Sequence, residues 1–298
     1  MSHEAPQNRT SNSGRSSSNG FMISSEIVVI IAIGALLSYY HFDFRGPSNS
    51  WLFILPLIGA GLSLLDSSMG MGFGTIGSPL LIILGFSSKE VVPSVLIAQA
   101  SLAIVAAAFH QSKKNVDYFN PNGNDLGIEV RLIAFGLIGT MIASFVYVQL
   151  SKEYLNIYVG LLVIAMSALL IMRPKTSFSW SKVNLLSLLS GFNKAISGGG
   201  YGPVATTGLI LSGNPVKNSV GATLFSVIFI NITAFIIYVF TKEISAVELP
   251  VFLTIGALIG SQMGPSITGK MGSHKAKSIF ACIVMVLGVM TIIMTYVK

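Results

Sequence analysis

Apolar residues run along this chain in blocks approaching 20 positions, and polar residues gather in short clusters between them. A bilayer core of roughly 30 Å needs about 20 residues of α-helix, so the blocks predict membrane spans. The first covers about residues 26–42. The next, 51–84, is apolar but interrupted at "MGMGFGTIGSP". Three unbroken blocks follow at about 90–110, 126–150 and 154–172. Then 180–212 is again interrupted, at "SGGGYGP", and three more blocks close the chain at about 216–241, 246–268 and 276–297. The first 22 residues carry almost nothing to bury and read as a disordered polar tail, leaving 23–298 as one transmembrane domain. The stretch at 27–37 has the length of a signal-peptide core. Its polar lead is long, however, and no small-residue cleavage pattern follows, so it reads as a retained helix.

The order of blocks repeats. A shift of 128 positions lays Gly70, Gly72, Gly74 and Gly85 on Gly198, Gly200, Gly202 and Gly213, Lys89 on Lys217 and Leu96 on Leu224. Further on the shift is 121, with Gly139 on Gly260, because the connection at 111–125 is the longer one. The chain therefore reads as a duplication, with repeat 1 at about 51–173 and repeat 2 at about 180–298. Each repeat is an interrupted segment followed by three crossings, and three is odd, so the second repeat is expected to lie inverted. With the N-terminus in the cytoplasm, twelve Lys and Arg fall inside and five (Arg45, Lys89, Lys152, Lys242, Lys298) outside, which favours that orientation. The expected fold is an all-α polytopic membrane protein. It has two inverted-topology repeats, each a glycine-broken re-entrant helical hairpin plus three transmembrane helices, after one extra N-terminal helix.

The arms of the interrupted segments are short. Residues 203–212 make only about 15 Å of helix and cannot span. Non-helical backbone at that depth needs protein or a water-filled cavity around it. Pro203 suits the first turn of a half-helix, and Thr75, Ser78 and Pro79 are expected to do the same work in repeat 1, as polar caps followed by proline. A half-helix that starts at the midplane aims free N–H groups and its positive dipole end inward, where an anion fits. The expected binding set is Gly70, Gly72, Gly74 and Thr75 from repeat 1, with Ser197, Gly198, Gly199, Gly200 and Gly202 from repeat 2. The competing reading is that these glycines only let helices pack closely.

Charge adds Lys194. It lies roughly 18 Å from the cytoplasmic face, where a lysine costs roughly 2.5–3.5 kcal/mol on insertion scales. Its repeat equivalent is Asp66. Either the two pair structurally, or Lys194 meets an anionic substrate and Asp66 carries a proton; the readings are compatible. Gln99, Ser101, Thr223, Ser226 and Asn231 on the following helices are further lining candidates, although Ser and Thr in such helices often bond their own backbone.

Composition narrows the class. The chain is 52% hydrophobic and 10% charged, with mean hydropathy +0.74, which excludes an ordinary soluble domain. The net charge of +7 is spread over the connections rather than clustered, so no nucleic-acid partner is expected. One cysteine and four scattered histidines suggest neither a metal site nor a catalytic cluster, and no cofactor or enzymatic activity is expected. No phosphate-binding loop is present, so energy is expected from a gradient or a partner.

The stretches "GMGFGTIGSPLLIILGFSSKEVVPSVL" and "SGGGYGPVATTGLILSGNPVKNSVGATLFS" resemble the sulfite exporter TauE/SafE family of membrane transporters. The likeness extends over about residues 51–297. Met71 and Phe73 interrupt the first glycine run, and Pro93 and Val95 stand where repeat 2 has Gly221 and Thr223. The resemblance implies a membrane transporter of a small sulfur-containing anion; with the charge bias and the paired hairpins, the expectation is a multi-pass cell-membrane protein, N-terminus cytoplasmic, working by alternating access. The lipid bilayer is its other partner, and self-association is left open. A non-transporting scaffold or receptor component, or a transporter of another small solute, is the alternative.

Overall fold

A computed structural model describes residues 51–118, 124–172, 178–241, 248–271 and 274–297. The polar tail and the expected helix at 26–42 lie outside them. The described elements are α1 (Trp51–Met69), α2 (Phe73–Ile83), α3 (Ser88–Ser112), α4 (Asn124–Gln149), α5 (Lys152–Met172), α6 (Trp180–Ser197), α7 (Tyr201–Leu211), α8 (Val216–Phe240), α9 (Glu248–Ser261), α10 (Gly264–Met271) and α11 (His274–Val297). Among the described residues, five segments are long and apolar enough to cross a membrane: Ser88–Ser112, Leu126–Gln149, Lys152–Met172, Val216–Phe240 and Ser278–Tyr296.

Helix bounds follow the repeat. Adding 128 carries the ends of α2 and α3 onto those of α7 and α8. Backbone detail repeats with them, because Gly70, Gly72 and Gly85 take positive φ and so do Gly198, Gly200 and Gly213. One block departs from expectation. The span expected at 246–268 is two helices, α9 of 14 residues and α10 of 8. Pro265 has no N–H to donate to the Ser261 carbonyl, so the ladder stops there. The matching α4 has no such proline and runs unbroken for 26 residues.

Packing joins the halves reciprocally. Helix α1 lies along α9 as α6 lies along α4, and α3 and α8 cross each other at the centre. Small residues set these distances: a Cβ at Gly256 or Gly260 would strike the α1 backbone, and one at Gly139 or Gly191 the backbone between α4 and α6. Among the described residues, cations divide by end. Ser88 Oγ meets the Lys152 carbonyl and Lys89 Nζ the Tyr147 carbonyl, which gathers Lys89 and Lys152. Arg131 donates to Asn184 Oδ1, Asn115 to the Pro265 carbonyl and Tyr118 to the Gly221 carbonyl. These contacts gather Lys113, Lys114, Arg131, Lys182, Lys217 and Lys270 at the other end. Helix α2 runs directly into α3 at the first end, and α7 into α8 at the second.

Candidate functional site

The two glycine tips meet. Helix α1 closes with Gly70 N–H donating to the Asp66 carbonyl, and α6 closes with Gly198 N–H donating to the Lys194 carbonyl. Both closing glycines adopt the left-handed conformation, the glycine C-cap that ends many helices. Helices α2 and α7 then start from Gly72 and Gly200, which as glycines bring no capping side chain of their own. Thr75, Ser78 and Pro79 therefore are not caps. They lie inside α2, which begins at Phe73 because the glycine backbone, rather than a side chain, turns the chain. Gly74 packs on the Gly198 carbonyl and Gly202 on the Gly70 carbonyl, backbone against backbone. Gly199 does not have positive φ; its missing side chain makes room for Gly74 and Thr75. Gly200 N–H reaches Thr75 Oγ1 at 3.4 Å.

Lys194 and Asp66 are fully enclosed and bridged by a third residue. Gln99, in the middle of α3, donates from Nε2 to Asp66 Oδ2 at 2.8 Å, and its Oε1 accepts from Lys194 Nζ. Only this orientation of the amide satisfies both neighbours, since a carboxylate accepts and an ammonium donates. Asp66 also accepts from Phe73 N–H at 3.2 Å, placing negative charge at the N-terminus of α2. Lys194 donates besides to the Gly198 carbonyl at the end of its own helix. Both charges thus complement helix dipoles, and the ammonium is held by neutral oxygens.

The remaining expected residues divide. Ser197 Oγ accepts from Gly199 N–H at 3.0 Å and belongs to the tip. Thr223 stands behind it, 3.0 Å from Thr206 Oγ1. Ser101 bonds its own helix. The fully buried Asn231 amide has no hydrogen-bond partner, and neither has the Ser78 hydroxyl beside Gly198. Among the described residues, no cluster of His, Cys, Asp or Glu suited to a metal ion is present.

The sequence profile described as "Sulfite exporter TauE/SafE" matches residues 54–291, which include both hairpins. The chain belongs to the sulfite exporter TauE/SafE family. A Bacillus subtilis (strain 168) relative, "Probable membrane transporter protein YtnM", is 26% identical over 172 residues, 54% of this chain and 54% of that protein. The match thus spans about half the length of that relative. No solved structure matches.

Two residues of this TauE/SafE member escaped the sequence reading. His110 Nε2 lies 2.9 Å from the Ser67 carbonyl, and Tyr238 O–H donates to the Ala195 carbonyl at 2.7 Å. His110 and Tyr238 are 128 apart, as are Ser67 and Ala195. Each side chain pins a last-turn carbonyl that its helix leaves unpaired. The signal was available in the register of the repeat, but histidine and tyrosine share no obvious chemistry until both are seen on a carbonyl.

Proposed function

We propose that the chain is a secondary active transporter moving a small anion, a sulfur oxyanion or an organosulfonate, by alternating access around the paired tips. The observation that carries this reading is the state of Lys194. It is an ammonium buried where two glycine turns meet and held by an amide oxygen and a carbonyl. An anion offers it a stronger, charge-assisted partner than either. The N-terminus of α7 offers first-turn N–H donors near it, while the N–H groups of Gly199 and Gly200 are held by Ser197 Oγ and Thr75 Oγ1. The family description supports a sulfur anion as cargo, and the Bacillus subtilis relative's name supports membrane transport.

Asp66 is the proposed proton carrier. A proton on its carboxylate weakens its hold on Gln99 Nε2 and Phe73 N–H, frees Gln99, and so loosens Lys194. The two repeats are proposed to be inverted re-entrant hairpins, one entering from each face, because α2 and α7 lead to opposite ends of the molecule. Proteoliposomes loaded with labelled sulfite or a short alkylsulfonate test the function. Flux dependent on the protein and accelerated by a pH gradient is expected. Intact, inserted protein that moves neither anion sinks the reading in favour of a scaffold or another solute.

Orientation has its own test. In a background with the exposed Cys282 replaced by serine, Lys113→Cys should react with an impermeant maleimide only from the cytoplasmic side. Lys152→Cys should react only from outside; both positions are exposed. Reaction of both from one side contradicts the crossing of α4 that the proposed topology requires.

A further inference from the structure

The last turn of each hairpin's long arm is held from outside the hairpin. In α6 the Ala195 carbonyl follows directly on Lys194. Its regular partner in a continued helix would be Gly199 N–H, four residues on, but that group donates to Ser197 Oγ at 3.0 Å. Tyr238 of α8 supplies the replacement, its hydroxyl donating to the Ala195 carbonyl at 2.7 Å. Tyr238 is fully buried, and its ring packs against Tyr147 of α4 with centroids 4.4 Å apart. Lys89 Nζ in turn lies over the Tyr147 ring, 4.9 Å from its centre.

Repeat 1 builds the same contact from other atoms. The Ser67 carbonyl follows on Asp66 as the Ala195 carbonyl follows on Lys194, and His110 Nε2 meets it at 2.9 Å. Asn115 Nδ2 donates to the Pro265 carbonyl at 2.9 Å, which fixes that amide, and it faces His110 Nδ1 at 3.2 Å. An amide nitrogen only donates, so Nδ1 accepts and Nε2 carries the hydrogen given to Ser67. Each of these two unlike side chains thus holds the carbonyl next to a buried charge, and each ring is braced from behind. Packing alone would call for a ring at these positions, not for a donor on the matching carbonyl in both repeats.

We propose that Tyr238 is a positioning residue for the anion, the counterpart of His110 beside Asp66. Its hydroxyl fixes the last turn of α6 and so the place of the Lys194 ammonium. The inference rests on Lys194 being the anion's partner. A binding group works when bonds behind it hold it within about 0.5 Å of its productive place. Lys194 stands four residues before Gly198, where the chain leaves the helix and the backbone ladder runs out. Tyr238 makes up one of the missing bonds, from a helix of the same repeat that does not belong to the hairpin.

The test measures proteoliposome flux of sulfite and of a short alkylsulfonate over a range of concentrations, for the full chain as wild type, Tyr238→Phe and Tyr238→His. Melting of the same preparations is read in detergent. Phenylalanine keeps a ring against Tyr147 and removes only the donor. It should raise KM about fivefold, the share of one buried hydrogen bond, with kcat little changed. Histidine gives up the tyrosine ring contact but restores an N–H, and His110 makes this bond from the equivalent position. KM should therefore return toward wild type while the melting temperature stays below it. An unchanged KM in Tyr238→Phe, or a KM that tracks the melting temperature through both variants, overturns the proposal. So does a loss of kcat at unchanged KM, which would assign Tyr238 to the moving step. Wild type that carries neither anion removes the transport reading itself, and this inference falls with it.

Discussion

Replacing Lys194 with methionine and Asp66 with leucine together is expected to yield a protein that inserts, melts nearer to wild type than either single variant, and carries no anion. Removing one partner of a buried charge pair typically costs about 3–5 kcal/mol, because the other charge remains in low dielectric without compensation. Lys194→Met alone leaves the Asp66 carboxylate facing one amide and one backbone N–H. It also takes the donor from Gln99 Oε1 and from the Gly198 carbonyl. Asp66→Leu alone strands the ammonium. The double variant removes both charges but leaves Gln99 between two apolar side chains, with both ends unpaired, at about 1–3 kcal/mol. Adding Gln99→Leu should recover most of that remainder. Melting of detergent-purified protein, read beside proteoliposome flux, separates the roles. Normal flux in a stable double variant ends any transport role for the pair.

The second large effect is expected at Gly74 and Gly202. Alanine in place of glycine inside a helix ordinarily stabilises by about 0.5–1 kcal/mol. At Gly61 in α1, where an added Cβ meets nothing within 4 Å, that gain should appear. At Gly74 the same methyl would overlap the Gly198 carbonyl, and at Gly202 the Gly70 carbonyl. Neither obstacle is a side chain that can swing aside, so the sign should reverse, with losses of about 1–3 kcal/mol for alanine and more for valine. Flux should fall with stability, since the tips are forced apart. Gly74→Ala melting at or above wild type would mean that the tips do not touch in the protein's resting state.

Much of the helix pattern was legible because the bilayer's length requirement and the 128-residue register act on composition alone. Glycines at 70, 72, 198 and 200 announced two turns, and turns are where the structure has them. Local readings failed where an element's neighbours decide the outcome. Pro79 looked like a first-turn proline, yet α2 begins six residues earlier at Phe73, since Gly72 turns the chain and Asp66, seven residues back, accepts from the Phe73 N–H. The break before Pro265 was readable from the proline but was hidden in a long apolar block. Gln99 was one weak lining candidate among several. Its place between Asp66 and Lys194 depends on α3 crossing two hairpin arms far apart in sequence, and no spacing rule encodes that. The glycine clusters were weighed as solute contacts against packing points. The backbone contact between the tips gives the packing reading direct support, and the proposed anion role rests on Lys194 instead.

Each hairpin's long arm leans on a helix from the opposite half, α1 on α9 and α6 on α4. This has a consequence for the order of synthesis. The second hairpin emerges when α4, its wall, is already in place, and it can dock at once. The first hairpin has no wall until α9 is made near the end of the chain. Between those moments the small-residue face of α1 is bare to lipid and to any neighbouring chain that offers a similar face. Assembly is therefore lopsided even though the finished halves match, and the early arm is the one exposed to mistaken partners.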